Sequence, residues 1–171
     1  CTEPLTVRLD WYFKIKSERP LIDGAPDPDN IGSLHLDWLR EDIELLLKGE
    51  PVDLPSYWDD LDHPDGVSTR HSGRIVQLNS ERKLIVESLF ALHPEVRGLF
   101  GARDMLKIFI SAPEELRILR RLRREVGNEE ATAEQVLNDW PALRRAEREF
   151  IFPFAGDADF EIENDCPGTL I

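Results

Sequence analysis

The chain has 171 residues, a formal net charge of −13 and 41% hydrophobic residues, the size and apolar content of about one domain that can bury its own core. So acidic a surface repels a polyanion and argues against a nucleic-acid binder. No run approaches the ~18 apolar residues that cross a bilayer, and no charged-then-apolar leader opens the sequence.

In chain order, Leu5-Thr6-Val7-Arg8-Leu9 reads as a short strand that ends at Asp10. Residues 17–30, rich in Pro, Gly and Asp, read as loop. From Ile31 to Lys48 the apolar residues Leu34, Trp38, Ile43 and Leu47 recur at helical spacing, and Gly49 is placed to end that helix. Residues 55–72 form a polar, Asp-rich excursion. The segments Gly73–Leu78 and Lys83–Glu87 read as strands, the second apolar enough to be buried on both faces. After the strand Met105–Ile110, a helix from Ala112 to Val126 is entered through Ser111 as N-cap, with Pro113 and Glu114 in its first turn. A long helix runs from Thr132 to Phe150 with Pro141 marking a kink or break, and Asp159–Ile162 is a last short strand. Strands separated by helices predict an α/β domain with a mainly parallel sheet.

Five arginines, Arg117, Arg120, Arg121, Arg123 and Arg124, fall within eight residues of this acidic chain. A basic helix that follows a strand suggests a phosphate-handling site. The alternative is a solvated helix face balanced by Glu114, Glu115 and Glu125. The stretch Trp58–Gly66 superficially suggests a Ca²⁺ loop, but its Gly is one place late and no Glu stands at the twelfth position. His63 and His71 are too isolated to argue for zinc. Cys1 and Cys166 match no metal or redox spacing, as suits a reducing cytoplasm.

Four stretches stand together in one order: Leu9-Asp10-Trp11-Tyr12-Phe13-Lys14; Leu84 to Leu92; Ile108-Phe109-Ile110 with Arg117 to Arg124; and Trp140-Pro141 through Phe150-Ile151-Phe152-Pro153 to Asp159. In this order they resemble the uridine kinase and phosphoribulokinase branch of the P-loop kinases. The resemblance implies a P-loop NTPase-type fold, a three-layer parallel sheet with helices on both faces, as a single domain over residues 1–171 in which 50–80 form a substrate-side hairpin or insertion. It implies transfer of the ATP γ-phosphate, with Mg²⁺, to a hydroxyl of a nucleoside or similar small molecule. It also implies a cytoplasmic enzyme with no nucleic-acid or membrane partner, and it allows a homo-oligomer.

Residue by residue, the resemblance makes Asp10 the catalytic base or positioner of the attacking hydroxyl and Glu87 the acidic residue near Mg²⁺. Asp27, in Ala25-Pro26-Asp27-Pro28-Asp29, takes the part of the carboxylate on the sugar hydroxyls, although a one-residue deletion leaves Asp29 as the other choice. Tyr57 matches an aromatic over the base, and Arg121 and Arg124 match the basic helix that approaches the ATP phosphates.

Two departures qualify this. No G-x-x-x-x-G-K-[ST] occurs in the sequence, so the first strand and P-loop of the family are missing and the chain by itself is expected not to bind ATP in the family manner. That strand would lie between those ending at Glu87 and Ile110, and its loss is expected to leave two half-sheets with open edges. Secondly, Glu129-Glu130-Ala131 stands where the family carries Arg-Gly-Arg. Both departures favour the alternative of a degenerate, non-catalytic kinase-fold binding or regulatory module.

Overall fold

The computed structural model describes residues 3–59, 62–128 and 131–165. Cys1, Cys166, Glu129 and Glu130 lie outside them. The chain divides into two compact units, Cys1–Arg103 and Asp104–Ile171. The α/β class expected from the sequence is found, with parallel strand pairs and helices in both units.

In the first unit, β1 (Leu5–Arg8) pairs in parallel with β6 (Leu84–Glu87), Leu5 opposite Leu84 and Arg8 opposite Glu87. Alternation sets the inner face of β1, where Leu5 and Val7 are buried while Arg8 is exposed. The chain then turns through a single 3₁₀ turn, Leu9–Tyr12, so Asp10 lies just beyond the strand on a tight helical turn instead of ending it. Leu9 and Tyr12 carry the burial onward to α1 (Leu36–Leu47), whose Leu39, Ile43 and Leu46 form the apolar stripe. Gly49, at φ +76°, ends this helix as the sequence predicts.

One hairpin of this unit escapes the sequence reading, and a second lies within 50–80, where the resemblance implies a hairpin or insertion. In the segment expected as loop, β2 (Leu21–Ile22) and β3 (Ala25–Pro26) flank Asp23-Gly24, both at positive φ, as a two-residue hairpin requires. The polar excursion is instead the antiparallel ribbon of β4 (Val52–Trp58) and β5 (Val67–Val76), with a register irregularity between Leu54 and Ser56. The expected double burial of β6 is also corrected: its residues alternate, and Ile85 is 45% exposed. The short helix α2 (Pro94–Arg97) follows.

In the second unit, β7 (Ile108–Ser111) pairs in parallel with β8 (Phe160–Glu163). Ser111 is still in the strand, opposite Glu163, and the N-cap of α3 (Glu114–Gly127) is Pro113, with no side-chain cap. Helix α4 (Ala133–Ala146) begins with a full capping box, in which Thr132 accepts from the Gln135 amide and the Gln135 side chain accepts from that of Thr132. It continues through Pro141 without a break; the irregularity comes later, as a π-helical turn over Glu147–Ile151. Among the described residues each parallel sheet has two strands.

Candidate active site

Parallel pairing brings two of the expected carboxylates to one edge. Glu87 ends β6 and Asp10 follows β1 by two residues, so both stand at the carboxyl ends of neighbouring strands, where open α/β sheets bind ligands. Both are exposed. The strand that Glu87 ends was expected to be buried; Glu87 is instead exposed and accepts a hydrogen bond from Nε of its cross-strand neighbour Arg8 at 3.1 Å.

Asp27 is 5% exposed and largely engaged by its own turn. Its Oδ1 accepts the Asp29 amide at 3.0 Å, its amide donates to the Pro20 carbonyl at 2.8 Å, and its carbonyl accepts the Ser33 hydroxyl. Asn30, capping the next turn, accepts the Gly32 amide, and Lys14 Nζ donates to the Gly32 carbonyl at 2.8 Å. The acidic loop is thereby tied to the segment that carries Asp10.

Tyr57, on β4, packs edge-on to Phe13 with ring centroids 5.8 Å apart. Gly66, at φ +89° in the hairpin turn, lies directly over the Tyr57 hydroxyl; a Cβ there would collide with it. The hairpin tip is clamped from the other side. The amide and hydroxyl of Ser17 each donate to the Asp65 carboxylate at 2.7 Å, the Lys16 amide donates to the Asp65 carbonyl at 2.7 Å, and Lys16 Nζ pairs with Asp59 at 2.6 Å.

Beneath these residues lies a buried network that the sequence reading missed. Asp42, on α1, is wholly buried; it accepts the Tyr12 hydroxyl at 2.8 Å and the Arg70 guanidinium at 2.6 and 3.1 Å. Arg70 comes from β5, also reaches Glu41 at 3.3 Å and lies 5.6 Å from the Trp38 ring, which stacks on His35. One carboxylate thus joins the Asp10 turn, α1 and the hairpin. Burial, and then the Asp42 charge, push the Tyr12 hydroxyl far above its ordinary range. Burial alone would lower Arg70, but the bonds and charge of Asp42 outweigh it and raise it. His35 is lowered, by burial first. The only signal in the sequence was an Asp on the apolar stripe of a helix, next to Ile43.

Arg121 and Arg124 lie in the second unit, on α3, and both turn to Glu125. Arg121 Nε is 2.8 Å from Glu125 Oε1, close enough for an ion pair but not aligned as a hydrogen bond, and Arg124 Nη2 is 3.2 Å from the same oxygen. Arg117 pairs with Glu147, and Arg120 donates to the carbonyl and side chain of Asn164 at 3.1 Å. Arg144 pairs with Glu147 and with Glu114, the latter at 3.0 Å. Much of the arginine cluster is therefore balanced by carboxylates of its own unit.

The donor sets can be tested against the groups that the resemblance implies. Mg²⁺ is commonly held by one or two carboxylates together with substrate phosphates, and Asp10 and Glu87 fit that share of a shell. Among the described residues no cluster of three or more His, Cys, Asp or Glu could hold a metal without such help. The triphosphate of ATP fits poorly, because the sequence has no phosphate-cradling glycine loop and Arg121 and Arg124 are engaged by Glu125. No described helix is long and apolar enough to cross a membrane.

No family model matches the sequence. Curated relatives do. The chain is 29% identical over 157 residues to a uridine kinase of Staphylococcus epidermidis, a match covering 90% of this chain and 70% of that protein. It is 27% identical over 161 residues to a uridine kinase of Anoxybacillus flavithermus (92% and 71%), and 29% identical over 152 residues to one of Chloroflexus aggregans (88% and 68%). A solved structure, "Structure of YGR205w protein", superimposes with a TM-score of 0.66 at 11% identity, covering 94% of this chain and 73% of that one, which shows a shared fold. The chain resembles uridine kinases along about nine tenths of its length, as its motifs suggested.

Proposed function

We propose that the chain is the acceptor-side and sheet-edge part of a nucleoside-kinase-like phosphotransferase that moves the ATP γ-phosphate, with Mg²⁺, to a hydroxyl of a nucleoside or similar small molecule. The observation that carries this is the convergence of Asp10 and Glu87 at the carboxyl edge of the β1–β6 pair, in a chain similar to uridine kinases. Asp10, exposed and next to the strand, takes the proton of the attacking hydroxyl on its carboxylate and helps orient the metal shell. Glu87 would leave Arg8 to hold Mg²⁺ with its carboxylate. Asp27 or Asp29 bonds the sugar hydroxyls, Tyr57 flanks the base, and Arg121 and Arg124 would meet phosphate only by leaving Glu125.

The test is phosphoryl transfer from ATP to uridine by the protein encoded at this locus, native and as Asp10→Asn. Turnover is expected to fall on the order of 10²–10⁴-fold with ATP affinity nearly unchanged. Turnover close to native in the variant would remove Asp10 from the chemistry. The second reading, a non-catalytic kinase-fold binding or regulatory module, is favoured by the absent glycine loop and by Glu129-Glu130-Ala131. Failure of the native protein to transfer phosphate to any hydroxylated acceptor while still binding it selects that reading.

A further inference from the structure

Among the described residues five buried side-chain polar atoms have no hydrogen-bond partner: Arg19 Nη2, Tyr57 Oη, Ser68 Oγ, Arg97 Nε and Arg121 Nε. Buried polar atoms are nearly always paired, so their distribution is informative. Three of the five gather at the hairpin. Tyr57 and Ser68 are directly opposed across β4 and β5 and therefore share a face, and the Arg19 guanidinium lies 4.9 Å from the Tyr57 ring and 4.8 Å from the Phe13 ring.

Arg19 is the unusual member. It is 8% exposed, and its Nε donates to the Lys14 carbonyl at 2.9 Å. It has no ion pair among the described residues; of the nearby carboxylates, Asp59 is engaged by Lys16 and Asp65 by Ser17. Two aromatic faces compensate a buried cation only in part, and a buried charge without a counter-charge is costly. The setting is also built rather than accidental, because Gly66 makes room for the Tyr57 hydroxyl and the Ser17–Asp65 bonds fix the segment that carries Arg19. Phe13, Tyr57 and Ser68 are only half-buried, so the cluster lies at the surface of its unit.

We propose that Arg19, with Tyr57 and Ser68, binds a carboxylate of the acceptor, so that the acceptor of this chain is an acid; this rests on reading the hairpin side of the first unit as the acceptor side. The planar guanidinium supplies charge and directed N–H donors, and the two hydroxyls complete the bonds to the carboxylate oxygens. An acidic nucleoside and a hydroxylated acid without a base share this chemistry.

The experiment titrates the 171-residue chain with uridine, with its 6-carboxylate orotidine, and with gluconate, by calorimetry and by amide chemical shifts. Orotidine is expected to bind at least about tenfold more tightly than uridine, as one charge-assisted contact allows, with shifts centred on Arg19, Tyr57 and Ser68. Arg19→Gln is expected to erase that advantage while leaving uridine affinity within about twofold. If circular dichroism shows that this variant does not fold, Arg19→Lys, which keeps the charge but not the planar fork, is expected to lose threefold or more for orotidine alone. With uridine bound, orotidine binding no more tightly overturns the proposal, as does an equal loss for both ligands in the variant. Where neither nucleoside binds, gluconate is the deciding ligand: gluconate bound at Arg19 keeps the carboxylate site and rejects the nucleoside, and gluconate unbound overturns the proposal.

Discussion

The two units solve the problem of folding differently. Among the described residues, the first holds thirteen of the fifteen buried apolar side chains, from Leu5 to Val96, and all four buried polar ones. The second contributes only Val136 and Ala146, yet carries nine of the fourteen exposed large apolar residues, among them Ile108, Ile110, Leu119, Phe160 and Ile162. What organises the second unit is polar: Arg117 and Arg144 on Glu147, Arg121 and Arg124 on Glu125, Lys107 on Asp159, and the Thr132 capping box. These pairs are partly buried; ion pairs near a surface contribute little, about 0–1 kcal/mol each where exposed, whereas a buried Leu or Ile contributes ~1.5–3 kcal/mol. Secondary structure and a stable core are separable, and here they are separated along one chain.

The largest expected effect is calorimetric. If only the first unit melts cooperatively, the unfolding enthalpy near 60 °C is ~70 kcal/mol instead of the ~120 kcal/mol expected for the whole chain. Scanning calorimetry with amide exchange on the same sample decides this, and uniform protection across both units would break the comparison.

Next is Asp42→Ala, which removes the wholly buried carboxylate of the network, so that Tyr12 loses its partner and Arg70 keeps only Glu41. It is expected to cost about 3–5 kcal/mol, read as a lower urea midpoint by tryptophan fluorescence. A loss below ~1 kcal/mol would show that water replaces the carboxylate.

The same network predicts an alkaline limit. The Tyr12 hydroxyl titrates higher in the folded chain than in the unfolded one, because of burial and then Asp42. Its contribution is therefore complete below pH ~10 and is lost as pH rises further, at about 1.4 kcal/mol per pH unit. Tyr12→Phe is expected to flatten that slope in urea melts between pH 9 and 11, whatever it does at neutral pH. His35, lowered mainly by burial, works from the acid side: its stabilising share is present above its unfolded value and falls away as pH drops below it.

The smallest effect belongs to the second unit. Glu125→Gln releases Arg121 and Arg124 at a cost of under ~1 kcal/mol, and helix content by circular dichroism is expected to stay nearly unchanged. A large loss would mean that Glu125 organises α3 far beyond its pairwise contacts.

Legibility followed the range of the interactions. The strands β1, β7 and β8 and the end of α1 at Gly49 were readable because alternation, helical periodicity and a left-handed glycine are local signals. The β4–β5 ribbon came only through the resemblance, as a hairpin or insertion over 50–80, since its half-exposed strands carry Ser, Thr, Arg and His where burial would have written a clear alternation. The cap at Ser111 failed because pairing with Glu163 holds Ser111 in the strand, while Pro113, at φ −52°, makes the turn into α3. Within the candidate site, Asp10 and Glu87 stood out at strand ends. Arg70 and Arg19 did not, because their meaning depends on Asp42, 28 residues from Arg70, and on Tyr57, neither of them a sequence neighbour.

The pairing of β1 with β6 also sets an order on the ribosome. Arg8 and Glu87 are 79 residues apart, so at ~5–20 residues per second the first strand waits roughly 4–16 s for its partner. Until then Leu5, Val7 and Leu9, all buried at the end, have no strand to lie against. The β4–β5 ribbon closes within its own length during that interval. A nascent chain of this sequence therefore holds β1 for several seconds before its partner strand emerges, the interval in which holding chaperones would matter most.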